Sequence, residues 1–347
     1  DLVLPGWTDD DVTGSPYSIA SYAPEPMIGD WDDIDRAREE LHSRGMNLIL
    51  DFIPNHTAPD HAWIFEHPDY YIQGSEADIR KAPASFIAVR RGKQELYIAR
   101  GKDPYFPPWP DTAQLNYFNP ELRFAMIGEL KKIAGHCDGV RCDMAMLVLN
   151  DIFAKNWEWA GRNSAHETPK KEFWEEARRV VPGFVLLAEA YWDTEERLQR
   201  LGFDYAYDKK LYDLLLGPSA RDIVTHLAAN VSYQKKLVRF IENHDEPRSA
   251  DAFGKGRLQA AAVLFSTVPG MKLFHHGQLE GRKIYVPMPL RRVKDETPDA
   301  AIQAFYEKLL SIIRSDAFHR GEWELKEAAS AGDDSFGNLA AWRWKTD

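Results

Sequence analysis

The chain has 347 residues, 44% hydrophobic and 28% charged, and its 54 acidic and 43 basic side chains give a formal charge of −11. That length fits one large domain with excursions or two domains, and no apolar run approaches the ~18 residues of a membrane span. The acidic balance would repel nucleic acid and anionic lipid, so neither is expected as a partner, and a neutral or cationic small molecule is.

The first residues, Asp1-Leu2-Val3-Leu4-Pro5, are a strand-like run with neither an initiator Met nor a signal peptide. They suggest a chain whose first part is missing, and no compartment follows from them. Residues 30–44 read as a helix capped near Asp30, with Ile34, Ala37 and Leu41 on one stripe. Gly45 ends it, and MNLILDFI follows as a continuous apolar strand, the pattern of burial on both faces. Residues 57–118, dense in Pro, Gly and aromatics, are too long for a simple connection and predict an inserted subdomain. A helix over 121–134 then leads to the strand HCDGVRCDMA. On that strand Cys137 and Cys142 would lie roughly 16 Å apart at ~3.3 Å per residue, too far for a disulfide, so both are expected to be free. Residues 170–180 are helical, Pro182-Gly183 breaks, and FVLLAEA is a strand. LVRFIENHD and GMKLFHH are two more, separated by a helix at 255–267. A helix at 298–315 carries Ile302, Phe305, Tyr306 and Leu309, and short strands begin near 321. The alternation of strands and helices predicts a parallel α/β architecture.

Four of these strands end in polar clusters, and in a barrel the catalytic groups gather at the C-terminal strand ends. Asp51 is followed by Asn55 and His56. Arg141 and Asp143 alternate with Cys142 and so share a strand face. The cation should keep Asp143 ionised, as a nucleophile requires. Glu189 closes an apolar strand, whose surroundings favour a protonated general acid, with Tyr191 and Trp192 beyond it as a platform for a sugar ring. His244 and Asp245 end the fourth strand. Taken singly these clusters also read as turn chemistry, a structural ion pair, packing and a loop cap. Together they place carboxylates on separate strands. Retaining glycoside hydrolysis needs two carboxyls ~5–5.5 Å apart, and neighbouring strands lie ~4.8 Å apart.

LDFIPNH, GVRCDMA, LLAEA and FIENHD, in this order, resemble the four signature regions of the α-amylase family, glycoside hydrolase family 13. SPYSIASY resembles the segment whose Tyr, here Tyr17, stacks on the sugar, and QLNYFNPELR the end of the inserted B domain. The resemblance covers residues 1 to about 320. It implies a (β/α)₈ barrel lacking its first strand and helix here, with the barrel at 1–56 and 119–320 and a B domain at 57–118. Residues 321–347 would be the start of a truncated C-terminal β-domain. It further implies Asp143 as nucleophile, Glu189 as acid/base and Asp245 as transition-state stabiliser. Tyr17, Asp51, His56, Arg141 and His244 would line the same subsite. The implied activity is that of a retaining α-glycosidase on an α-glucan or α-glucoside, with no cofactor required by the chemistry.

Asn55 resembles a family calcium ligand, and Asp103 or Asp111 would add oxygens. Met146 and Leu147 stand where many α-amylases carry Lys and His, so calcium dependence is expected to be weak or absent. Linkage and oligomeric state are unread. A transglycosylase using the same site is the main alternative. A non-catalytic transporter-subunit or glucan-binding relative is another, although such relatives commonly lose the carboxylates retained here. A metal-dependent hydrolase would draw on His56, His136, His244, His275 and His276, which show no tight ligand spacing.

Overall fold

The computed structural model describes residues 3–163, 166–330, 332–333 and 335–346. The chain forms two compact units, one of residues 15–204 and one joining residues 1–14 to 205–347.

The 15–204 unit opens with helix α1 (Trp31–Ser43), where Asp30 accepts from the Asp33 amide and the Asp33 carboxylate accepts from the Asp30 amide. This reciprocal capping box fixes the start of the helix. Strand β1 (Ile49–Phe52) follows, then the antiparallel hairpin β2 (Phe86–Arg91) and β3 (Gln94–Ala99) within the 57–118 stretch. Helix α2 (Pro120–Ala134) starts on an Asn119 cap with Pro at its first position, and leads to β4 (Gly139–Cys142). Helix α3 (Phe173–Val180) leads to β5 (Val185–Ala188).

Strands β1, β4 and β5 are parallel and in register: Phe52 pairs with Cys142, and Cys142 with Ala188. Residue 139 must be glycine, since a Cβ there would meet Val185 Cβ at 2.6 Å and Val185 O at 2.7 Å. Phe52, Val140, Cys142, Leu186 and Ala188 are buried with Leu122, Met126, Phe173 and Trp174. Cys137 and Cys142 are free and buried. One expectation fails here. β1 is not buried on both faces, since Ile49 and Leu50 stay half-buried and Asp51 is exposed.

In the second unit, β6 (Tyr205–Tyr207), helices α4 (Lys209–Leu216) and α5 (Ala220–Leu227), and β7 (Leu237–Arg239) come in order. Helix α6 (Gly254–Thr267) and β8 (Met271–Lys272) follow. β6 runs parallel to β7, and β7 to β8. The sequence reading missed β6, whose three residues form no apolar run. Helix α7 (Ala300–Ile313) precedes the antiparallel pair β9 (Glu322–Lys326) and β10 (Ala341–Lys345). The N-terminal segment joins this unit through the Asp11–Arg292 ion pair at 2.6 Å and a bridge between Val12 and Leu290. Among the described residues no helix is long and apolar enough to cross a membrane.

Candidate active site

Each residue just past the end of β4 and β5 is held by the neighbouring strand's backbone. The Asp143 amide donates to Phe52 O at 2.9 Å, and the Glu189 amide donates to Cys142 O at 3.0 Å. The parallel ladder thus runs one step beyond the strands and sets the two carboxylates side by side.

Arg141 is the hub between them. Its Nη1 lies 2.9 Å from Asp143 and 3.1 Å from Asp51, and its Nη2 lies 3.0 Å from Glu189. The guanidinium, Asp143 and Glu189 are buried, while the Asp51 side chain is 49% exposed. The Tyr17 ring stacks on the guanidinium, with 5.3 Å from Cζ to the ring centroid. His56 is buried with its ring 5.2 Å from that of Trp109, and burial lowers its pKa to about 4, so it is neutral at pH 7. This unit therefore gathers Asp51, Arg141, Asp143, Glu189 and Tyr17 around one cation.

The charge balance differs from the sequence expectation. Burial first, and the Glu189 charge second, push the Asp143 carboxyl up to about 7, against the opposing pull of Arg141. The expectation that Arg141 keeps Asp143 ionised fails because burial, and after it the Glu189 charge, outweighs the pull of a guanidinium that also faces Asp51 and Glu189.

Glu189 has two further donors. The Met144 amide reaches its Oε2 at 2.7 Å, and the Tyr191 hydroxyl reaches its Oε1 at 2.6 Å. Met144 adopts a left-handed conformation, φ 43°, that a non-glycine residue seldom takes. The turn it makes is pinned by the Ala145 amide on Glu189 O and by Trp174 Nε1 on Ala145 O at 2.8 Å. Sequence reasoning had no purchase on Met144, since its contribution is a backbone donor. Tyr191, expected with Trp192 as a sugar platform, donates its hydroxyl to the Glu189 carboxyl. Trp192 packs edge-on against Tyr105 at 5.2 Å.

His244 and Asp245 belong to the other unit, past the end of β7, and form their own pair at 3.1 Å. Asn243 Oδ1 accepts from the Asp245 and Glu246 amides at 2.9 and 3.0 Å, shaping the turn. Behind it, fully buried Glu242 is bonded by Arg248 at 2.8 Å, Ser249 Oγ at 2.6 Å and His275 at 3.0 Å. A cavity of about 270 Å³ in this unit is lined by His244, Arg248, His275, Tyr285 and Met288.

Asn55 spends its carboxamide on Gln114, accepting at 3.1 Å and donating at 3.3 Å, and Asp103 caps the Tyr105 and Phe106 amides. As folded, this donor set does not fit the six to eight oxygens that calcium takes. Among the described residues no three His, Cys, Asp or Glu side chains gather as metal ligands. His136 lies against Trp31 and Asp35 instead.

Residues 8–335 match the model of the alpha-amylase catalytic domain. The chain is 23% identical over 313 residues to Alpha-amylase 3 of Dictyoglomus thermophilum, covering 80% of this chain and 57% of that protein. It is 30% identical over 212 residues to trehalose synthase/amylase TreS of Mycobacterium tuberculosis, covering 54% and 32%. Its fold is similar to that of the noncanonic maltogenic alpha-amylase AmyB from Thermotoga neapolitana, with a TM-score of 0.66, 23% identity, and coverage of 96% and 70%. The chain spans about half the length of the curated relatives it matches. With nearly its whole length inside the family model and its strand ends carrying these carboxylates, the chain belongs to the α-amylase family, glycoside hydrolase family 13.

Proposed function

We propose that this chain is the catalytic part of a retaining α-glycosidase acting on α-linked glucose oligo- or polysaccharides. The observation that carries the reading is the pair Asp143 and Glu189, set side by side by paired strands and bound to two nitrogens of one guanidinium. Adjacent strands suit the short carboxyl separation of retaining enzymes better than the ~6.5–9.5 Å of inverting ones.

In this reading Asp143 Oδ attacks the anomeric carbon as the glycosidic C–O bond breaks, and Glu189 gives its proton to the departing oxygen. Glu189 then takes a proton from water, whose oxygen attacks the same carbon and releases Asp143. Asp245 is assigned the stabiliser's role from its place in FIENHD. Tyr17, Asp51, His56, Arg141 and His244 are assigned to the sugar at the cleavage point. Residues 1–56 and 119–320 are the barrel, 57–118 the inserted B domain, and 321–347 the start of a C-terminal β-domain. The chemistry needs no cofactor.

A second reading, transfer to a sugar acceptor in place of water, is favoured by the 30% identity to a protein named trehalose synthase/amylase. Incubating the protein with maltooligosaccharides, with and without added acceptor sugar, separates the two. NMR of the first product should show the α-anomer. A β-anomer would reject retention, and no turnover of any α-glucoside would reject the reading. Acceptor-linked products would favour transfer.

A further inference from the structure

Glu242 follows β7 and has no exposed surface. Its Oε2 accepts from the Ser249 amide at 2.8 Å and the Ser249 hydroxyl at 2.6 Å, and its Oε1 from Arg248 Nη1 at 2.8 Å and His275 Nδ1 at 3.0 Å. An ionised carboxylate only accepts, so His275 carries its hydrogen on Nδ1. Burial alone would raise the Glu242 pKa, but the bonds from His275, Ser249 and Arg248 outweigh it and lower the value below the ordinary one. A buried ion pair adds little net stability over a well-packed apolar pair, so what this one fixes matters more than what it contributes.

What it fixes is a loop. Glu242 and Ser249 are seven residues apart, and the two Ser249 bonds close the segment between them into a ring, with Arg248 as a third tie. His244 and Asp245 lie inside that segment. Asn243, itself buried, holds the near side of the turn by accepting from the Asp245 and Glu246 amides. Arg248 also donates to His276 O at 2.7 Å and to Ile284 O at 3.3 Å. The His275 amide donates to Gln278 Oε1 at 3.2 Å, and Gln278 Nε2 donates to the Tyr306 hydroxyl on α7 at 3.1 Å. The ring is thus tied to the chain beyond β8 and to α7. Its base is buried, while Asp245 keeps 47% of its side chain exposed.

We infer that Glu242 is a positioning residue for the glycosidase reaction: by clasping Arg248, Ser249 and His275 it fixes the loop that presents His244 and Asp245 to the sugar. The inference rests on the glycosidase reading, in which Asp245 stabilises the transition state. With no exposed surface, Glu242 acts through the loop and does not touch the sugar. A charge that serves a transition state must already stand in place, and a misplacement of about 1 Å costs on the order of 10²-fold.

Glu242→Gln keeps the volume but turns one acceptor oxygen into an amide that faces donors. Its kcat should fall about 10- to 100-fold. KM should stay within about three-fold, since the lost interaction is one made in the transition state. A double-mutant cycle shows whether the loss runs through Asp245. In an Asp245→Asn background, assayed on an α-glucoside with an activated leaving group, the same change should cost less than about two-fold. Losses that multiply would overturn the inference, as would a raised KM with unchanged kcat. Ser249→Ala removes one donor and carries the cycle with a loss of about 3- to 10-fold if Glu242→Gln does not fold. NMR of ¹⁵N-labelled histidine reads the loop without turnover: the His244 signal, assigned by its loss in His244→Asn, should shift in both variants. An unmoved signal would overturn the inference. A shift in a protein inactive on every α-glucoside would reject the glycosidase reading while upholding Glu242's hold on the loop.

Discussion

Replacing Arg141 by Gln should destabilise the protein more at pH 8 than at pH 5. The raised Asp143 carboxyl sets the sign. Its value in the folded protein is about 7 against 3.8 for the free group. Below pH 4 both states hold the proton and there is no penalty. Between that point and about 7 the folded state keeps a proton the unfolded chain has lost, so stability falls as pH rises, and above 7 the whole penalty is present. Roughly three pKa units at ~1.4 kcal/mol each make this on the order of 4 kcal/mol. Arg141 opposes the rise, so without it the folded value climbs further and the fall continues past pH 7. Leaving buried carboxylates unpaired costs ~3–5 kcal/mol when they are ionised. At pH 5 Asp143 is already protonated in both proteins, and the loss should be smaller by at least ~1 kcal/mol. Urea unfolding of wild type and Arg141→Gln at the two pH values measures it. Equal losses at both, or a loss under ~1 kcal/mol at pH 8, would refute the sharing of one cation among three carboxylates.

Asp143→Asn should lower turnover by about 10⁴-fold or more, since an amide cannot form the glycosyl ester. The same variant should match or exceed wild-type stability at pH 8, because it removes a buried charge, and urea unfolding beside an activity assay checks both. Gly139→Ala should cost ~1–3 kcal/mol by forcing β4 from β5, and should depress activity as well, as the same strands carry Asp143 and Glu189; an unchanged unfolding midpoint would contradict this. A chelator should shift the melting temperature by less than ~2 °C, which corresponds to about 1.5 kcal/mol at ~2.1 cal/mol/K per residue in a protein of this size. A larger fall would show that Asn55 releases Gln114 to hold calcium.

Strands β1, β4 and β5 were legible because each lies in an apolar run that follows a Gly and leads into a polar cluster. Asp51, Asp143 and Glu189 stood out only in combination, since each taken singly also reads as turn chemistry, a structural ion pair or packing. β6 was not legible, because Tyr205-Ala206-Tyr207 is too short to show a period and takes its place by pairing with Leu237 and Val238. The half-burial of β1 was not legible either, since an apolar run does not say what packs against each face of the strand. The protonation of Asp143 was misread by treating Arg141 as its private partner. The sequence puts the two residues on one strand face, but which further carboxylates approach the same guanidinium depends on strand order, and strand order is not written locally. The donors to Glu189 were hidden for two other reasons: Met144 acts through its amide, and Tyr191 was a plausible stacking residue.

Strand order also explains why the cation belongs on β4. β4 lies between β1 and β5, so a long side chain on its inner face is the one that can touch the ends of both neighbours. An Arg on β1 would reach Asp143 but stand a strand further from Glu189, and one on β5 would stand as far from Asp51. A guanidinium suits the position because its fork presents separate nitrogens in one plane, which a lysine's point charge does not. The cost is that one positive charge faces Asp51, Asp143 and Glu189, so the site as a whole stays negative even when one of the three holds a proton. Beyond this shared cation, Glu189 is held by two hydrogen bonds of different origin, the Met144 amide set by its backbone turn and the Tyr191 hydroxyl.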